Sequence, residues 1–363
     1  MKRLFSVPDL SSVSGGPLER ASSLFDRQIF EALLGGKRLR AVLEVASSVC
    51  AGGPGGVEAA CAIEIFQAGA LVHDDIVDKS EVRRGKPSSR KAFFSSLSSP
   101  NFNFESADAM AIMLGDFLAS ASIEALLEAK MCPCPQAAVR AFCRMQMQVE
   151  KGQILDINSP SLPLKDFEGL EKALESIYLY KTASYTTIAP LALGFLEAGI
   201  EEEKAKKWAE GIGKPLGVAF QISDDLLDLK GGSKPKGSDI REKKRTFLLA
   251  DALSLLSERE RGNLINLYEK EDLAGREEEV AKVFEGCGAV EKSHERIKKL
   301  SSQAFSALER CCSELGLGKR EKEFLARACS LFIPPEDLGF HAGSPFSSSF
   351  LSSPSSRSCL FLS

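Results

Sequence analysis

Residues 57–78 read VEAACAIEIFQAGALVHDDIVD, an apolar helical run that ends in an acidic motif. Apolar side chains recur almost all round the predicted helix, so we expect it to lie at the centre of a helical bundle. Asp74 and Asp78 are four positions apart and therefore stack on one helix face. The C-terminal end of a helix already carries partial negative charge, so carboxylates placed there call for a compensating cation.

The same acidic pattern returns later, where residues 224–228 read DDLLD at the end of a second apolar run. One such cluster is more often a solvated helix end than a metal site, but two matched clusters favour a bound cation. Carboxylate oxygens that leave room for water and for substrate phosphates suit Mg²⁺. We therefore predict a magnesium site formed by Asp74, Asp75, Asp78, Asp224, Asp225 and Asp228.

Composition narrows the class of protein. The net charge of −4 over 363 residues provides no broad basic surface, so no nucleic-acid partner is expected. Ten cysteines without a C-x-x-C pair, and only three histidines, argue against a zinc site. The N-terminal residues lack the apolar stretch of a signal peptide, and we expect no apolar run to be long enough for an integral membrane segment. We expect a soluble, cytoplasmic protein.

Helical periodicity dominates the rest of the chain. No Pro- or Gly-rich linker divides residues 1–333, which predicts one large all-α domain. Pro190 is expected to kink or break its helix. Turn-forming residues at 95–106 predict an inserted loop, and the Ser- and Pro-rich residues 334–363 predict a disordered tail without an assigned function. The predicted helices cover residues 17–34, 57–78, 105–130, 136–156, 166–198, 202–228, 246–271 and 289–332.

Basic clusters accompany the acidic ones. Each has an ordinary explanation as a charged helix end, a neutralising neighbour or a solvated surface. Together, however, they alternate with the carboxylates as two acidic–basic blocks, which is what holding several phosphate groups requires. The clusters are GGKRLR at 35–40, RRGK at 83–86, Lys181-Thr182, Lys234 and KKR at 243–245.

These motifs resemble those of the trans-isoprenyl diphosphate synthases of the polyprenyl synthetase family. The resemblance covers about residues 20–330, and the matching stretches follow the family's order. They are GGKRLR (35–40), DDIVD with RRGKP (74–78 and 83–87), GD (115–116), GQILD (152–156), KTASY (181–185), FQISDDLLD (220–228) and KPKGSDIREKKRT (234–246). The resemblance implies an all-α bundle around a deep central cavity and a homodimer. Its implied reaction is Mg²⁺-dependent, head-to-tail condensation of isopentenyl diphosphate with an allylic diphosphate.

The resemblance also implies residue roles. Asp74, Asp78 and Asp224 would coordinate Mg²⁺, three ions in all, while Asp75 and Asp228 support or share the site. Isopentenyl diphosphate would be bound by Lys37, Arg40, Gln67 and Arg84. The allylic diphosphate would be held by Arg83, Lys181, Thr182, Gln221, Lys234 and Lys244, with Lys181 also counted among the catalytic residues. The chain departs from the family at Ala41, where proline is usual, and at Lys243, where glycine is more frequent.

The chemistry fits these residue types. Loss of diphosphate develops negative charge on the leaving group, which Mg²⁺ and fixed Lys and Arg side chains stabilise. The allylic cation left behind must be kept from water, so the wall beyond the carboxylates should be apolar. The departing diphosphate is the expected acceptor of the final proton. His73 is expected to cap or orient its neighbours rather than to catalyse.

Product length is expected to depend on the helix before Asp74. Gly69 and Ala70, one turn earlier, are too small to stop a growing chain. Phe66 lies two turns away, about 12 Å from Asp74. If Phe66 points inward it ends the tunnel, and if it faces a neighbouring helix the tunnel continues. By the family resemblance, small residues one turn before the first motif imply a product of C20 or longer.

Three alternatives stand beside this interpretation. One is a farnesyl diphosphate synthase, and another is a class I terpene cyclase, which would lack GGKRLR and the second DDxxD. A third is a non-catalytic subunit of a heteromeric synthase, in which the Asp or Lys motifs should be eroded. All of these motifs are complete in this chain.

Overall fold

The structure is a computed structural model that describes residues 16–97, 101–129, 135–231, 236–269 and 273–338. Helices dominate these residues, which confirms the all-α prediction. The sheet within the described residues is one antiparallel hairpin of β1 (Val82–Arg83) and β2 (Lys86–Pro87). The helices are α1 (Pro17–Leu33), α2 (Leu39–Cys50), α3 (Val57–Val77), α4 (Ser89–Ser96), α5 (Phe104–Leu127), α6 (Pro135–Asn158), α7 (Phe167–Ile177), α8 (Ala189–Glu197), α9 (Glu202–Lys230), α10 (Ser238–Arg241), α11 (Phe247–Leu255), α12 (Glu258–Glu269), α13 (Glu277–Gly286), α14 (Ala289–Glu314) and α15 (Lys319–Ser330).

α3 occupies the centre of the bundle, as predicted. Ala62 and Ile63 are fully buried in it. Its closest neighbour is α5, because Gly69 lacks a side chain: a Cβ there would lie 2.9 Å from the carbonyl oxygen of Gly115 and 3.1 Å from Cβ of Leu118. This close approach fixes α3 along α5 and leaves the opposite face of α3 free to line a cavity.

The predicted helix 166–198 is helical throughout but changes its pitch. Between α7 and α8, residues Tyr178–Ile188 form a π-helix, hereafter the π segment. Pro190 does not interrupt the helical segment. It is the second residue of α8, where its missing N–H costs little. Gly152 of α6 and Gly217 of α9 let their helices approach this segment. A Cβ at these positions would lie 2.2 Å from the nitrogen of Lys181 and 2.5 Å from Cα of Ala183, respectively.

Two predicted helices were too long. The one at 246–271 is divided into α11 and α12, and the one at 289–332 is interrupted between α14 and α15, where Gly316 adopts a positive φ of 68°. Gly316 is a helix-stop signal that marks the second break in the sequence. The sequence interpretation also missed α2, α4, α10 and α13.

The two segments predicted to lie outside the bundle are shorter than expected. Of residues 95–106, the first two complete α4 and the last three begin α5. The N-terminus of α5 is capped by Asn103, whose Oδ1 atom accepts from the backbone nitrogen of Ser106 at 3.0 Å. Residues 98–100 lie outside the described residues. At the other end, Asp337 is buried, with its Oδ2 atom 2.6 Å from Nδ1 of His294, so the packed body continues past residue 333 to Leu338. The remainder of the predicted tail, 339–363, is outside the described residues.

α5 contradicts the expectation that no apolar run is long enough for a membrane. Among the described helices it is the one with the length and composition to cross a bilayer, and 44% of its most apolar window is buried within the protein. Its contact with α3 at Gly115 and Leu118 buries one face of this helix in the bundle. Composition alone cannot separate such a core helix from a membrane span.

Candidate active site

Both acidic motifs reach one cavity of about 460 Å³, which opens between the C-terminal ends of α3 and α9. Asp74 lines it from α3, and Asp224, Asp225 and Asp228 line it from α9. The cavity wall is completed by α6, the π segment and the hairpin, which contribute Arg83, Arg84, Val149, Gln153, Asp156, Lys181, Thr182 and Tyr185. The fold thus joins sequence motifs that are far apart in the chain.

The first motif is surrounded by cations. Asp75 is buried and its Oδ1 atom accepts from Nε of Arg83 at 2.9 Å. The same guanidinium places Nη2 3.5 Å from Oδ2 of Asp74. Burial alone would lower the pKa of Arg83, but the hydrogen bond to Asp75 and the neighbouring carboxylates raise it. Asp75 therefore keeps the charged guanidinium of Arg83 beside Asp74.

Lys181 bridges Asp74 to a carboxylate that was not predicted as a site residue. Its Nζ atom forms an ion pair with Asp156 and lies 3.5 Å from Oδ1 of Asp74. Burial would lower the pKa of Lys181, but Asp74 and Asp156 outweigh it and raise the pKa, so the ammonium stays charged. Asp156 belongs to the GQILD motif, and its place in that motif was the signal that could have identified it.

Asp78 is not among the residues that line the cavity but lies next to Lys244, which is. The Nζ atom of Lys244 is 3.4 Å from Oδ2 of Asp78 and 2.8 Å from Oε2 of Glu242. Burial, followed by the charge of Asp74, raises the pKa of Asp78, which Lys244 partly offsets. Burial would lower the pKa of Lys244. Asp239 and Asp78 outweigh burial and raise this pKa well above its ordinary value.

The three aspartates of the second motif have different surroundings. Asp224 is exposed to the cavity. Asp225 is buried and accepts hydrogen bonds on both oxygens, from the Tyr178 hydroxyl and, at 2.9 Å, from Nε2 of Gln221. Asp228 accepts from the hydroxyl of Ser238 and, at 3.1 Å, from the backbone nitrogen of Asp239. All three line the cavity, but Asp225 and Asp228 also bind neighbouring protein groups, while Asp224 is the most exposed of them.

The donor set fits magnesium without forming a cage. Within the described ranges, no three His, Cys, Asp or Glu side chains converge closely enough to enclose an ion. Mg²⁺ commonly binds through one or two carboxylates and completes its shell with water and substrate phosphates. Asp74 and Asp224 line the cavity and would supply hard oxygen ligands for that arrangement, whereas Asp78 does not reach its wall.

The residues expected to bind isopentenyl diphosphate do not all reach the cavity. Gln67 and Arg84 line it. Arg40 is buried behind it, donating to Oγ1 of Thr186 at 2.8 Å with its guanidinium carbon 4.4 Å from the ring centre of Tyr185. Lys37 is exposed and does not contribute to the wall. Lys234, expected at the allylic diphosphate, lies outside the described residues.

The loop before α2 is held by a carboxylate that the sequence interpretation missed. Glu64 of α3 accepts from Nη1 of Arg38 at 2.9 Å and from the backbone nitrogen of Ala41 at 3.3 Å. Gly36 has a φ of 87°, and the guanidinium of Arg84 would lie 3.0 Å from a Cβ placed there. The loop therefore needs glycine both for its conformation and for the approach of Arg84.

The three residues assigned to product length occupy different positions. Ala70 lines the cavity, as expected. Gly69 does not, because it faces α5 at the close contact described above. Phe66 is buried behind the wall, with its ring centre 6.1 Å from those of both Phe142 and Tyr185. The side chain that faces the cavity in front of Phe66 is Tyr185.

His73 lies between α3 and α5. Its Nε2 atom is 3.3 Å from the carbonyl oxygen of Ile112 and 3.4 Å from Oδ1 of Asp116. The ring fits only because residue 115 is glycine, since a Cβ there would lie 2.1 Å from Nε2. These contacts support the orienting role that the sequence suggested for His73.

Comparisons with known proteins agree with this geometry. The polyprenyl synthetase family profile matches residues 24–286. A short chain isoprenyl diphosphate synthase of Methanothermobacter thermautotrophicus is 33% identical over 72% of this chain and 76% of its own length. A geranylgeranyl diphosphate synthase of Saccharolobus solfataricus is 31% identical over 76% of this chain and 80% of its own.

The fold is shared with solved structures as well. A geranylgeranyl pyrophosphate synthase from Corynebacterium glutamicum, crystallised with isoprenyl diphosphate and magnesium, superposes with a TM-score of 0.77 at 26% identity. The match covers 91% of this chain and 95% of that one. The helical bundle with two facing acidic motifs defines a prenyltransferase of the isoprenyl diphosphate synthase class. The chain belongs to the polyprenyl synthetase family.

Proposed function

We propose that the protein condenses isopentenyl diphosphate head-to-tail with an allylic diphosphate, releasing diphosphate and a trans-polyprenyl diphosphate of C20 or longer. The observation that carries this proposal is the pair of acidic motifs facing one cavity, with charged Arg83, Lys181 and Lys244 beside the first motif. Carboxylates and cations interleaved around an open space suit a ligand that brings its own negative charge and a divalent cation.

The cations at the first motif are placed to stabilise the leaving diphosphate. Mg²⁺ held by Asp74, Asp78 and Asp224, as three ions, would supply Lewis-acid polarisation of the leaving oxygen. Lys181 and Arg83 stay charged because carboxylates hold them in place, so they stabilise developing negative charge without reorganising. The released diphosphate is the proposed acceptor of the proton lost from the condensed product.

The deeper wall protects the allylic cation. Ala70, Val149 and Tyr185 line the cavity beyond the carboxylates. An apolar surface there excludes water, which would otherwise capture the cation and convert the substrate to an alcohol. Thr182 faces the same space, and its hydroxyl donates to Oε1 of Gln221 at 2.6 Å, so its oxygen lone pairs are available to a positive charge.

Product length is proposed to be set by an aromatic cluster of Phe66, Phe142 and Tyr185. Tyr185 lines the cavity, and the two phenylalanines lie behind it with edge-on ring contacts. A chain that grows past Ala70 meets this cluster before it can pass between the helices. Relatives named as geranylgeranyl diphosphate synthases support a C20 product over the farnesyl alternative.

Isopentenyl diphosphate is proposed to bind at the hairpin side of the cavity, near Gln67, Arg84 and Arg40. Arg84 is exposed and donates to the carbonyl oxygen of Leu34 at 2.7 Å, an interaction that a diphosphate would replace. Lys37 would have to approach the same ligand from the loop before α2.

The alternative of a non-catalytic subunit of a heteromeric synthase is disfavoured because the Asp and Lys motifs are complete.

The protein is proposed to act as a cytoplasmic homodimer. Large apolar side chains are exposed on α5 and α6, and such a surface favours association with a second copy. The cysteines described are free thiols, which is compatible with a reducing compartment. The exposed apolar residues on these helices are Ile112, Met113, Leu127, Met147, Ile154, Leu155 and Ile157.

The test is an incubation of purified protein with Mg²⁺, labelled isopentenyl diphosphate and C5, C10 or C15 allylic starters, with products separated by chain length. Condensation that stops at C20 or above is the expected result. A product that stops at C15 would favour the farnesyl alternative. Absence of condensation with every starter, in a folded protein that binds Mg²⁺, would overturn the proposed activity.

A further inference from the structure

Tyr178 is a buried residue of the π segment, three positions before Lys181, to which neither the motifs nor the proposed mechanism assigns a role. Its hydroxyl lies between α9 and α11. The backbone nitrogen of Phe247 donates to the Tyr178 oxygen at 3.3 Å, and the hydroxyl donates to Oδ2 of Asp225. The ring also packs edge-on against Phe247, with 5.0 Å between ring centres.

The directions of these hydrogen bonds follow from a backbone N–H, which only donates, and from a carboxylate, which only accepts. A backbone N–H only donates, so the Tyr178 oxygen accepts from Phe247, and its own proton is donated to the Asp225 carboxylate. The other carboxylate oxygen, Oδ1, accepts from Nε2 of Gln221 at 2.9 Å. The Gln221 amide is therefore oriented with its NH₂ group towards Asp225.

This orientation decides what Thr182 presents to the cavity. With its NH₂ group held by Asp225, Gln221 turns its carbonyl oxygen to Thr182, whose Oγ1 lies 2.6 Å away. The Thr182 proton is then directed at Gln221, and its oxygen lone pairs face the cavity. A reversed Gln221 amide would instead turn the Thr182 proton towards the cavity, which is unfavourable next to a positive charge.

We propose that Tyr178 is a positioning residue for prenyl transfer. By holding Asp225, it keeps the Gln221 amide in one orientation and the lone pairs of Thr182 towards the place where the allylic cation forms. The inference rests on the condensation proposed above. In it Asp225 acts through Gln221, because both of its oxygens accept from protein donors.

The test compares Tyr178→Phe with Tyr180→Phe. The first variant keeps the ring contact with Phe247 and removes only the hydroxyl. Tyr180 lies in the same π segment, is exposed, and its hydroxyl has no hydrogen-bond partner among the described residues, so its variant is a matched control. Unfolding midpoints and far-ultraviolet circular dichroism establish that both variants are folded.

Two non-reacting ligands distinguish a specific loss of cation stabilisation from general damage to the active site. One is an ammonium analogue of the allylic cation, added with diphosphate and Mg²⁺, and the other is a neutral allylic thiolodiphosphate. Tyr178→Phe is expected to lower kcat and the affinity for the ammonium analogue by about tenfold, the usual effect of losing one oriented hydrogen bond. The KM for both substrates and the affinity for the neutral ligand should stay at the level of the Tyr180→Phe control.

The possible outcomes are distinguishable. An unchanged kcat in Tyr178→Phe, or an equal loss of affinity for both ligands, would overturn the positioning role while leaving the proposed condensation intact. Lack of condensation in the wild type and in Tyr180→Phe would instead overturn the proposed function. Should Tyr178→Phe not fold, Asp225→Asn provides the second variant, with the same selective loss of affinity for the ammonium analogue expected.

Discussion

Lys181 joins the two sides of the candidate site, because its ammonium pairs with Asp156 of α6 while lying 3.5 Å from Oδ1 of Asp74 on α3. The pair with Asp156 keeps Lys181 from collapsing fully onto Asp74. Asp74 thereby remains close to a cation yet accessible to a metal ion in the cavity. The neighbouring close contact at Gly152 fixes the backbone of Lys181 against the same helix.

Replacing Asp156 with Asn is expected to move Lys181 towards Asp74. A stronger Lys181–Asp74 ion pair competes with Mg²⁺ for the same carboxylate, so the Mg²⁺ concentration that gives half-maximal rate should rise by about tenfold. Magnesium titrations of steady-state activity would measure this shift. Asp26→Asn, an exposed change on α1, is the control. An unaltered magnesium requirement in Asp156→Asn would contradict the competition.

Gly152→Ala is expected to abolish most activity. The added Cβ would lie 2.2 Å from the Lys181 nitrogen, and because the contact is with backbone the π segment must shift. Displacing a catalytic group by about 1 Å can cost roughly a hundredfold in rate. The measurement is kcat with saturating substrates and Mg²⁺.

The matched control for Gly152 is Gly262→Ala. Gly262 lies within α12, and a Cβ added there would meet nothing within 4 Å. Alanine at this position should leave kcat unchanged and raise the free energy of unfolding by about 0.5–1 kcal/mol, the difference in helix propensity. Comparable activity in the two glycine variants would show that the close approach at Gly152 is unimportant.

Phe66→Leu is expected to lengthen the product. The smaller side chain removes the ring contacts that Phe66 makes with Phe142 and Tyr185, so Tyr185 can move back from the cavity. Leucine retains apolar volume and avoids much of the loss of about 3–5 kcal/mol typical of Phe→Ala in a core. Product separation by chain length should show species longer than those of the wild type.

Gly69→Ala separates packing from product length. Its Cβ would press on the backbone of α5, 2.9 Å from the Gly115 oxygen, and would not enter the cavity. We expect a lower unfolding midpoint with the product length of the wild type. Longer products from Gly69→Ala, or unchanged products from Phe66→Leu, would contradict the aromatic cluster as the end of the tunnel.

Glu44 is expected to make the protein less stable as the pH rises. It is fully buried in α2, and neither carboxylate oxygen has a hydrogen-bond partner among the described residues. Burial, with the charge of Glu197 nearby, raises the pKa of Glu44 from 4.5 to about 9. The folded state therefore binds more protons than the unfolded state between those values, and stability declines across that window.

The free energy of unfolding should fall by at most about 1.4 kcal/mol per pH unit across this window. Urea denaturation of wild type and Glu44→Gln at pH 6 and pH 8.5 measures it, and the variant should be more stable than the wild type at the higher pH. Glu285→Gln, an exposed change on α13, is the control. Parallel pH profiles for wild type and Glu44→Gln would show that Glu44 does not titrate in this range.

Much of the site could be anticipated because its motifs are local. The DDIVD and DDLLD motifs, the Lys181-Thr182 pair and the basic clusters are each contained in a few residues, and chemistry alone indicates what they bind. The partners of these residues could not be anticipated in the same way. Asp156, Glu64 and Tyr178 act through contacts with residues far away in the chain, and no spacing rule predicts such contacts.

Residue type and periodicity determined the all-α class, the central position of α3 and the acidic and basic character of the site, because these depend on side-chain chemistry and on helical repeat. Tertiary structure alone decided that Gly69 faces α5, that Phe66 lies behind Tyr185, and that Asp225 is occupied by Tyr178 and Gln221. The physical reason is that helix rotation is set by packing. A few tens of degrees decide whether a side chain faces a cavity or a neighbouring helix, and that angle depends on which glycines allow two backbones to touch.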